Sequence, residues 1–408
     1  MHIELVSIGD ELLKGMVVNT NVAFMSRLLF ERGYEVSRHT VFSDDPLILD
    51  KELRAALSRS SLIIATGGLG TTIDDHTQAI AATLFDSEIV YNEQIAADIR
   101  RRFGELSNVE EQARLPLKAQ LLPNHVGLAP GLIFATGNKM LILLPGIPAE
   151  MQVMFTEGVL PFLQEKVPVK EKQTCVQLHF CGVIENTIDC FIRQQTEHFP
   201  DVQVGIYPSY GKVSVILHSR SHQQVAEYAN KLRTHFATQL FSEKSDKIEE
   251  AVQQLFIARK KRLALAESCT GGALSAQIVS VAGASDYFLG SFVTYSDALK
   301  MRLLNVSEKT LKTKGAVSKE TVEEMLLGIF AHSDADIGVA VSGIAGPTRG
   351  SEQKPVGTVW AALGERGQTP DVGVFHISGP RSKVIFASTN YLLGALWRKV
   401  AHGVRPFQ

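Results

Sequence analysis

A serine stands at a predicted strand-to-helix turn in the last third of the chain. The segment AESCTGG, residues 266–272, follows an apolar strand pattern, precedes a helical one and contains Ser268. Ligands of α/β sheets bind at the carboxyl ends of strands, and the first turn of a helix offers free N–H groups to an anion or oxyanion. Ser268 is therefore a candidate nucleophile. The alternative is a serine that only caps the helix, which is the commoner case for a serine taken alone.

A tyrosine and a lysine follow the next predicted strand. In FVTYSDALK, residues 292–300, the strand delivers Tyr295 to its carboxyl end, and Lys300 lies one turn into the following helix. A lysine acts as a general base only when burial or another cation lowers its pKa from about 10.4. Ser–Lys hydrolases work in this way, and a tyrosine can relay the proton. Spacing alone favours the alternative, a surface lysine and a core tyrosine.

Cys269 is a rival nucleophile, because a cysteine is intrinsically stronger than a serine. It would need a histidine as partner. His332 and His376 are the interior histidines of this part of the chain, and neither lies in a segment that resembles a site. We therefore favour Ser268 over Cys269.

Two further segments suit a ligand. The loop SGIAGP, residues 342–347, again follows an apolar strand, and Gly343 and Gly346 would let a ligand approach the backbone closely. Arg381 opens the last predicted helix, where a cation is electrostatically unfavourable. A bound phosphate would explain this position, although an exposed arginine can also tolerate it.

The first third of the chain places glycines and acids after three predicted strands. Gly-rich turns at helix starts suit phosphates, and acids beside phosphates imply Mg²⁺ or a similar divalent cation. The alternative is that the acids are ordinary helix caps and first-turn charges. The candidate nucleotide-binding residues are Gly9, Asp10, Gly67, Gly68, Gly70 and Gly146, and the candidate metal ligands are Asp74, Asp75 and Glu150.

The elements that must position these residues fall into three predicted domains. Residues 1–168 alternate strands and helices, which predicts a mostly parallel sheet between helical layers, with a hairpin near Gly137. A single helix is predicted from Glu11 to Phe30. Residues 169–245 have the order β, α, β, β, α of a small α+β module. Residues 246–408 predict a second α/β layer fold.

Composition excludes several functional classes. The 408 residues carry a formal net charge of −2, which argues against a nucleic-acid surface or an anionic-membrane surface. We expect no signal peptide and no membrane span, and the four cysteines show neither a C-x-x-C pair nor zinc spacing. A cytoplasmic protein with reduced thiols is the resulting expectation.

The last domain resembles the C-terminal domain of the competence/damage-inducible CinA family. Five blocks occur in the family's order: AESCTGG, FVTYSDALK, KGAVSKETV, VSGIAGP and KPVGTVW. Stand-alone relatives of that domain are nicotinamide-nucleotide amidases. The resemblance implies conversion of nicotinamide mononucleotide to nicotinic acid mononucleotide and ammonia without metal or cofactor. It implies Ser268 as nucleophile, Lys300 and Tyr295 as activating groups, Arg381 on the substrate phosphate, and substrate contacts from Thr270, Gly271, Gly343 and Gly346.

The first domain resembles the three-layer, molybdopterin-binding-like α/β domain that opens CinA proteins. The matching segments are SIGDELLKG, TGGLGTTIDDHT and LPGIPAEM. Such domains bind pterin or nucleotide phosphates and are linked to ADP-ribose pyrophosphatase activity in CinA proteins. Thr71 stands where the family usually has proline, and we expect this change to free the backbone and loosen the loop.

The expected protein is a homodimer that acts on a small nucleotide, with the amidase as its main activity. One alternative is that metal-dependent ADP-ribose pyrophosphatase activity of the first domain is the main activity. Another is a regulator of competence or DNA repair that senses nucleotides without turnover.

Overall fold

The computed structural model describes residues 2–106, 108–169, 174–348 and 350–407. Contacts between Cα atoms divide the chain into two compact units, Met1–Lys172 and Gln173–Gln408. The predicted boundary near residue 168 lies close to this division. The predicted boundary near residue 246 falls inside the second unit, where the separation into two domains stays a prediction.

The first unit is built on a six-stranded sheet of order β2-β1-β3-β8-β7-β6. Strands β2, β1, β3 and β8 are parallel, and β7 and β6 are added by antiparallel pairing. These strands are β1 (Ile3–Ile8), β2 (Val36–Phe42), β3 (Leu62–Thr66), β6 (Gln120–Leu122), β7 (Gly131–Thr136) and β8 (Lys139–Leu144), and β4 (Ile89–Tyr91) pairs separately with β5 (Arg114–Pro116).

Helices cover both faces of this sheet. The whole of β1 is buried, and its alternating side chains enter two cores, with Leu5 in the core that contains Met25 and Val6 in the core that contains Leu53. The helices are α1 (Asp10–Leu13), α2 (Thr20–Glu31), α3 (Pro46–Arg59), α4 (Thr77–Leu84), α5 (Glu93–Phe103), α6 (Val109–Gln112), α7 (Pro148–Met154) and α8 (Leu160–Lys166), with a π-helical turn at Phe155–Val159.

The hairpin predicted at Gly137 is confirmed, because β7 and β8 pair on either side of it. The single helix predicted from Glu11 to Phe30 is wrong. The chain leaves α1 near Gly15, whose φ of 68° lies in the left-handed region, and α2 starts afresh after Asn19. The Asn19 side chain accepts a hydrogen bond from the amide of Val22 and so caps the new helix.

The second unit begins with the small α+β module that the sequence predicts. Its antiparallel sheet has the order β10-β11-β9-β12, and two helices enclose a core that includes Phe180 and Tyr228. The elements are β9 (Thr174–Cys181), α9 (Glu185–Gln195), a 3₁₀ turn (Thr196–His198), β10 (Gln203–Ser209), β11 (Lys212–Ser219), α10 (His222–His235) and β12 (Leu240–Ser242).

A five-stranded sheet of order β14-β13-β15-β16-β17 forms the rest of this unit. Strands β14, β13 and β15 are parallel, β16 pairs with β15 in antiparallel orientation, and β17 pairs with β16 in antiparallel orientation. The elements are α11 (Ile248–Arg259), β13 (Leu263–Glu267), α12 (Ala273–Val279), a 3₁₀ turn (Ala284–Asp286), β14 (Phe288–Val293), α13 (Asp297–Leu304), α14 (Glu308–Lys314), α15 (Lys319–His332), β15 (Ile337–Gly343), β16 (Thr358–Glu365), β17 (Asp371–His376) and α16 (Arg381–His402).

The small module and the larger sheet share part of one core. Cys181, at the end of β9, is fully buried within the hydrophobic cluster of the larger sheet. Gly394 of α16 lies against it so closely that a Cβ atom on this glycine would be 2.9 Å from the Cβ atom of Cys181. Within the described ranges, no helix is both long enough and apolar enough to span a membrane.

Candidate active site

Three parallel strands bring the predicted catalytic segments to one edge of the larger sheet. The last residue of β13, Glu267, pairs with Val293 of β14 on one side and with Val341 of β15 on the other. The residues that follow these strands therefore meet at the same edge. Ser268 follows β13, and its amide donates to the carbonyl of Val341 at 3.0 Å.

The amine of Lys300 contacts the hydroxyl of Ser268 directly. Lys300 lies in the first turn of α13, a helix capped by Ser296, and its side chain points back to the sheet edge. Its Nζ atom is 3.0 Å from Ser268 Oγ. Lys300 is 1% exposed and Ser268 is 7% exposed, so the pair is shielded from bulk water. The alternative of a surface lysine is therefore wrong.

Burial changes the acid–base behaviour of this lysine. It lowers the pKa of Lys300 below the ordinary value near 10.5, although Asp297 and Cys269 act in the opposite direction. Besides Ser268, the Nζ atom contacts the carbonyl oxygens of Thr294 at 2.8 Å and Tyr295 at 3.5 Å. A neutral amine has two N–H groups for these carbonyls and one lone pair for the serine hydroxyl.

The carboxylate of Glu267 caps the turn that carries Ser268. It is fully buried and accepts hydrogen bonds from the amides of Gly272, Leu274 and Ser275, and from the hydroxyls of Ser275 and Ser291. The expectation that the first amides of α12 are free for an oxyanion is thus wrong for these three amides. The sequence shows this acid within AESCTGG, but the pattern alone does not show that its side chain turns towards its own helix.

Cys269 faces the protein interior instead of the Ser268–Lys300 contact. Burial raises the pKa of its thiol to about 12, which leaves almost no thiolate near neutral pH. A Cβ atom on Gly343 would lie 3.1 Å from the sulfur, so this glycine makes room for Cys269. Gly346 is also explained by packing, because its φ is 82° and a Cβ atom there would lie 2.4 Å from Val356.

The hydroxyl of Tyr295 contacts Arg381. One guanidinium nitrogen of Arg381 donates to the Tyr295 hydroxyl at 2.9 Å, and another donates to the carbonyl of Gly346 at 3.0 Å. Tyr295 is 58% exposed, so it is not the core aromatic of the alternative interpretation. The backbone carbonyl of Tyr295 therefore contacts Lys300, and its side-chain hydroxyl contacts Arg381. Arg381 is thereby held at the same edge of the sheet as Ser268.

Two threonine hydroxyls in the segments that follow β13 and β14 lack a hydrogen-bond partner within the described chain. The hydroxyls of Thr270 and Thr294 are buried and have no hydrogen-bond partner among the described residues. Buried hydroxyls without partners are rare in proteins and require an explanation. Gly271, next to Thr270, has a φ of 61° and no atom near its missing side chain, so the backbone there is open.

A second lysine fixes the surrounding loops. Lys354 donates to the carbonyls of Lys314 at 2.8 Å and Val317 at 2.7 Å, and the hydroxyl of Ser342 donates to the carbonyl of Ala316 at 2.7 Å. Sequence reasoning did not identify these contacts. The sequence signal that could have pointed to these residues is that the segments KGAVSKETV and KPVGTVW are among the blocks that match the family.

A cavity of about 600 Å³ opens at the carboxyl edge of the sheet in the first unit. Its volume suits a nucleotide-sized ligand, since small-molecule sites occupy roughly 300–1,000 Å³. All but one of the predicted residues of this domain line it, namely Gly9, Gly67, Gly68, Gly70, Gly146, Asp74, Asp75 and Glu150.

Asp10 is the exception among the predicted residues. Its carboxylate pairs with Lys14 at 2.9 Å and accepts a hydrogen bond from Ser43 at 2.7 Å, and these contacts keep the pKa of Asp10 below its ordinary value. Glu11 lines the cavity in its place. Successive helical side chains point about 100° apart, so α1 turns one of the two acids away.

Two carboxylates of this cavity lie directly against the backbone of a glycine, where a larger residue would collide with them. A Cβ atom on Gly70 would lie 2.4 Å from the carboxylate of Asp75, and one on Gly127 would collide with the carboxylate of Glu150. Asp75 accepts hydrogen bonds from the amide and the hydroxyl of Thr72 on one oxygen. The glycines therefore set the positions of the acids.

The described acids of this cavity do not form a metal site by themselves. Within the described part of the chain, no group of three or more His, Cys, Asp or Glu residues is arranged to hold a metal ion. Mg²⁺ usually binds one or two carboxylates and completes its shell with water and substrate phosphates. Asp74, Asp75 and Glu150 line the cavity, and a metal held by any of them together with a phosphate stays a prediction.

Comparison with known proteins assigns the family. Residues 245–400 match the CinA C-terminal domain, and residues 4–165 match the probable molybdopterin binding domain. The chain is 34% identical over 412 residues to a putative competence-damage inducible protein of Alkaliphilus oremlandii (strain OhILAs), a match that covers 98% of this chain and 99% of the relative. The chain belongs to the CinA family.

Two further matches are with a second relative and with a solved structure. A putative competence-damage inducible protein of Symbiobacterium thermophilum is 37% identical, with 90% of this chain and 89% of the relative covered. The solved structure of the competence damage-inducible protein A of Klebsiella pneumoniae subsp. pneumoniae MGH 78578 is 41% identical and has a TM-score of 0.37. That match covers 38% of this chain and 96% of the solved chain.

Thr71 is held in place by two amide side chains. Its hydroxyl accepts hydrogen bonds from Asn108 at 2.8 Å and from Gln112 at 3.2 Å, and Gln112 is buried and lines the cavity. These two hydrogen bonds act against the expected loosening of the loop. Asn108, the residue before α6, and Gln112 of α6 thus join the loop at Thr71 to a separate short helix.

We expect Thr71→Val to lower the free energy of unfolding of the first unit by about 1–3 kcal/mol, because two amide groups lose their acceptor. Thr71→Ser keeps the hydroxyl and should restore most of the loss. Urea unfolding and hydrogen exchange of residues 67–76 measure the two effects. Thr83→Val, on the exposed side of α4, is the matched control. Unchanged exchange in Thr71→Val would show that the hydroxyl does not hold the loop.

Proposed function

We propose that the second unit hydrolyses the carboxamide of nicotinamide mononucleotide, giving nicotinic acid mononucleotide and ammonia. The observation that carries the proposal is the 3.0 Å contact between the buried amine of Lys300 and the hydroxyl of Ser268. An amine with a lowered pKa, placed on a serine at a sheet edge, can activate that serine as a nucleophile. The choice of substrate rests on the resemblance of this domain to nicotinamide-nucleotide amidases.

The proposed reaction uses Lys300 as base and then as acid. The neutral amine takes the proton of Ser268 while Oγ forms a bond to the carboxamide carbon. The tetrahedral adduct collapses as the C–N bond breaks, and Lys300 passes its proton to the departing ammonia. Water then attacks the acyl-serine and gives its proton to Lys300. Ser268 leaves with that proton, and the product is a carboxylic acid that ionises in solution.

Arg381 is the proposed anchor for the phosphate of the substrate. A guanidinium has five N–H donors, and two of them are used by Tyr295 and Gly346. The remaining donors suit the oxygens of a phosphate. In this proposal Tyr295 positions Arg381, and the direct contact of Lys300 with Ser268 makes a tyrosine relay unnecessary. The unpaired hydroxyls of Thr270 and Thr294 are the candidates for hydrogen bonds to the carboxamide.

Ser268→Ala is expected to lower kcat for ammonia release by roughly 10⁴-fold or more, because it removes the nucleophile. Cys269→Ala is the matched control from the adjacent position, and it should keep most of the activity because the thiol is buried and protonated. An ammonia assay with nicotinamide mononucleotide measures both variants. A folded Cys269→Ala variant without activity, beside an active Ser268→Ala variant, would contradict the assignment.

Lys300→Arg should lose about 10²–10⁴-fold in kcat, nearly as much as Lys300→Ala, because arginine keeps its charge but cannot act as a base near neutral pH. For the wild-type protein we expect kcat/KM to rise with pH as Lys300 deprotonates. The midpoint should lie below 10.5, because burial lowers this pKa. Substantial turnover by the arginine variant, with an unchanged pH profile, would show that only the positive charge matters.

We propose cleavage of the diphosphate of ADP-ribose in the first unit as a second activity. The supporting observation is that Asp74, Asp75 and Glu150 line one cavity together with five glycines of the predicted phosphate turns. A divalent cation bound there would neutralise the phosphate charge. The protein side chains would hold the cation and orient the diphosphate along the backbone of the turns.

Chelation distinguishes the two activities. Excess EDTA should abolish cleavage of ADP-ribose, because carboxylates repel phosphates without a cation, and it should leave ammonia release unchanged. Asp75→Asn should weaken metal-dependent nucleotide binding, whereas Asp86→Asn, an acid outside the cavity, should not. Isothermal titration and product analysis measure these effects. Cleavage of ADP-ribose in excess chelator would refute the metal-dependent mechanism.

A further inference from the structure

A side-chain amide of α12 links three helices of the second unit. The Nε2 atom of Gln277 donates to the carboxylate of Glu249 in α11 at 2.9 Å and to the side-chain oxygen of Asn390 in α16, also at 2.9 Å. Both acceptors are buried, since Glu249 is 8% exposed and Asn390 is 3% exposed. These three residues, which we call the amide clip, have no part in the reaction steps described above.

The chemistry of the acceptors fixes the orientation of the amide clip. A carboxylate accepts hydrogen bonds and donates none, so the nitrogen of the Gln277 amide, and not its oxygen, must face Glu249. The second N–H of the same nitrogen is then directed to Asn390, whose amide must present its oxygen. Gly211, in the β10–β11 hairpin, confines Asn390 from another side, because a Cβ atom on this glycine would lie 3.3 Å from the Cβ atom of Asn390. Rotation of any one of the three side chains would therefore break a buried hydrogen bond, which is costly.

These hydrogen bonds restrict how α12 and α16 can lie against each other. The helices also pack through apolar side chains, among them Val252, Ile278 and Leu393. The free energy of apolar contacts depends mainly on buried area and has no direction, so a small shift of one helix along another changes it little. A hydrogen bond weakens steeply as its length and angle depart from the optimum, and more so in a buried site. The amide clip therefore favours a single register of α12 against α16.

The two linked helices adjoin the groups that are proposed to hold the substrate. The turn that carries Ser268 leads directly into α12, and α16 begins with Arg381. Asn390 lies nine residues after Arg381, which is about two and a half helical turns. Tyr295 and Gly346 orient the guanidinium group of this arginine, whereas the amide clip places the helix that carries it. The register of α12 against α16 thus controls the distance between the nucleophile and the phosphate anchor.

We infer that Gln277 is a positioning residue that makes the site selective for a phosphorylated substrate. The inference rests on the amidase function proposed above and adds a determinant of its specificity. The amide clip holds the phosphate anchor at a fixed distance from the nucleophile, and this distance selects the length of the substrate. A substrate without the phosphate does not use Arg381, so its turnover is independent of the amide clip.

The test compares nicotinamide mononucleotide with nicotinamide riboside, which lacks the phosphate, by ammonia release from the full chain. Gln277→Leu keeps most of the side-chain volume and removes both hydrogen bonds. It should raise KM for the mononucleotide about tenfold and change its kcat by less than about threefold, and kcat/KM for the riboside should not change. Gln253→Leu is the matched control. Gln253 is 9% exposed and donates to the carbonyl of Ala282 at 2.8 Å, a hydrogen bond that does not reach α16, so this variant should keep the wild-type KM.

Two further comparisons separate positioning from a loss of stability. Glu249→Gln keeps an acceptor for Gln277 and should retain the wild-type KM, whereas Glu249→Leu should behave like Gln277→Leu. In an Arg381→Ala background, Gln277→Leu should raise KM no further, because the anchor that it positions is absent.

The possible results distinguish this inference from the proposed function. If KM for the mononucleotide is unchanged in Gln277→Leu, or rises equally in Gln253→Leu or in the Arg381→Ala background, the positioning role is refuted while the amidase stands. If the wild-type protein releases no ammonia from nicotinamide mononucleotide, both the amidase function and the positioning role are refuted.

Discussion

The contact between Lys300 and Ser268 depends on keeping an amine away from water. A buried ammonium ion is unfavourable unless an anion accompanies it, so the neutral form gains in population. The hydrogen-bond partners of Lys300 in the structure are two carbonyl oxygens and a hydroxyl, and none of these three groups is an anion. The adjacent carboxylate of Glu267 is bound by amides and hydroxyls of its own turn and of β14. The site thus keeps a buried acid and a buried base on separate sets of partners.

Much of this organisation is predictable from the sequence because it depends on short patterns. Apolar runs that end in Gly, Ser or Thr indicate where parallel strands stop, and the carboxyl ends of such strands meet at one edge. The positions of Ser268, Lys300 and the glycine turns follow from this rule. The break of the helix after α1 was missed, because the apolar spacing continues through residues 16–18 while Gly15 ends the helix locally.

The remaining features depend on side-chain directions, which spacing does not encode. The sequence gives no sign that the Tyr295 hydroxyl lies on Arg381, a residue 86 positions away along the chain. It does not show which of Asp10 and Glu11 faces the cavity. The anchoring of Thr71 by Asn108 and Gln112 is also invisible, because the partners lie in a separate short helix and its approach. For Tyr295 and Thr71, a long-range hydrogen bond gives the residue a role that its type did not suggest.

The last helix, α16, contacts the candidate active site at its start and the small module further along its length. Arg381 begins α16, and Gly394, thirteen residues later, lies against Cys181 of the small module. At 1.5 Å per residue this separation is about 20 Å, so a tilt of roughly 3° at Gly394 would move Arg381 by about 1 Å. Displacements of about 1 Å can reduce a rate by about two orders of magnitude. A larger side chain at position 181 of β9 would therefore be transmitted along α16 to the position of Arg381.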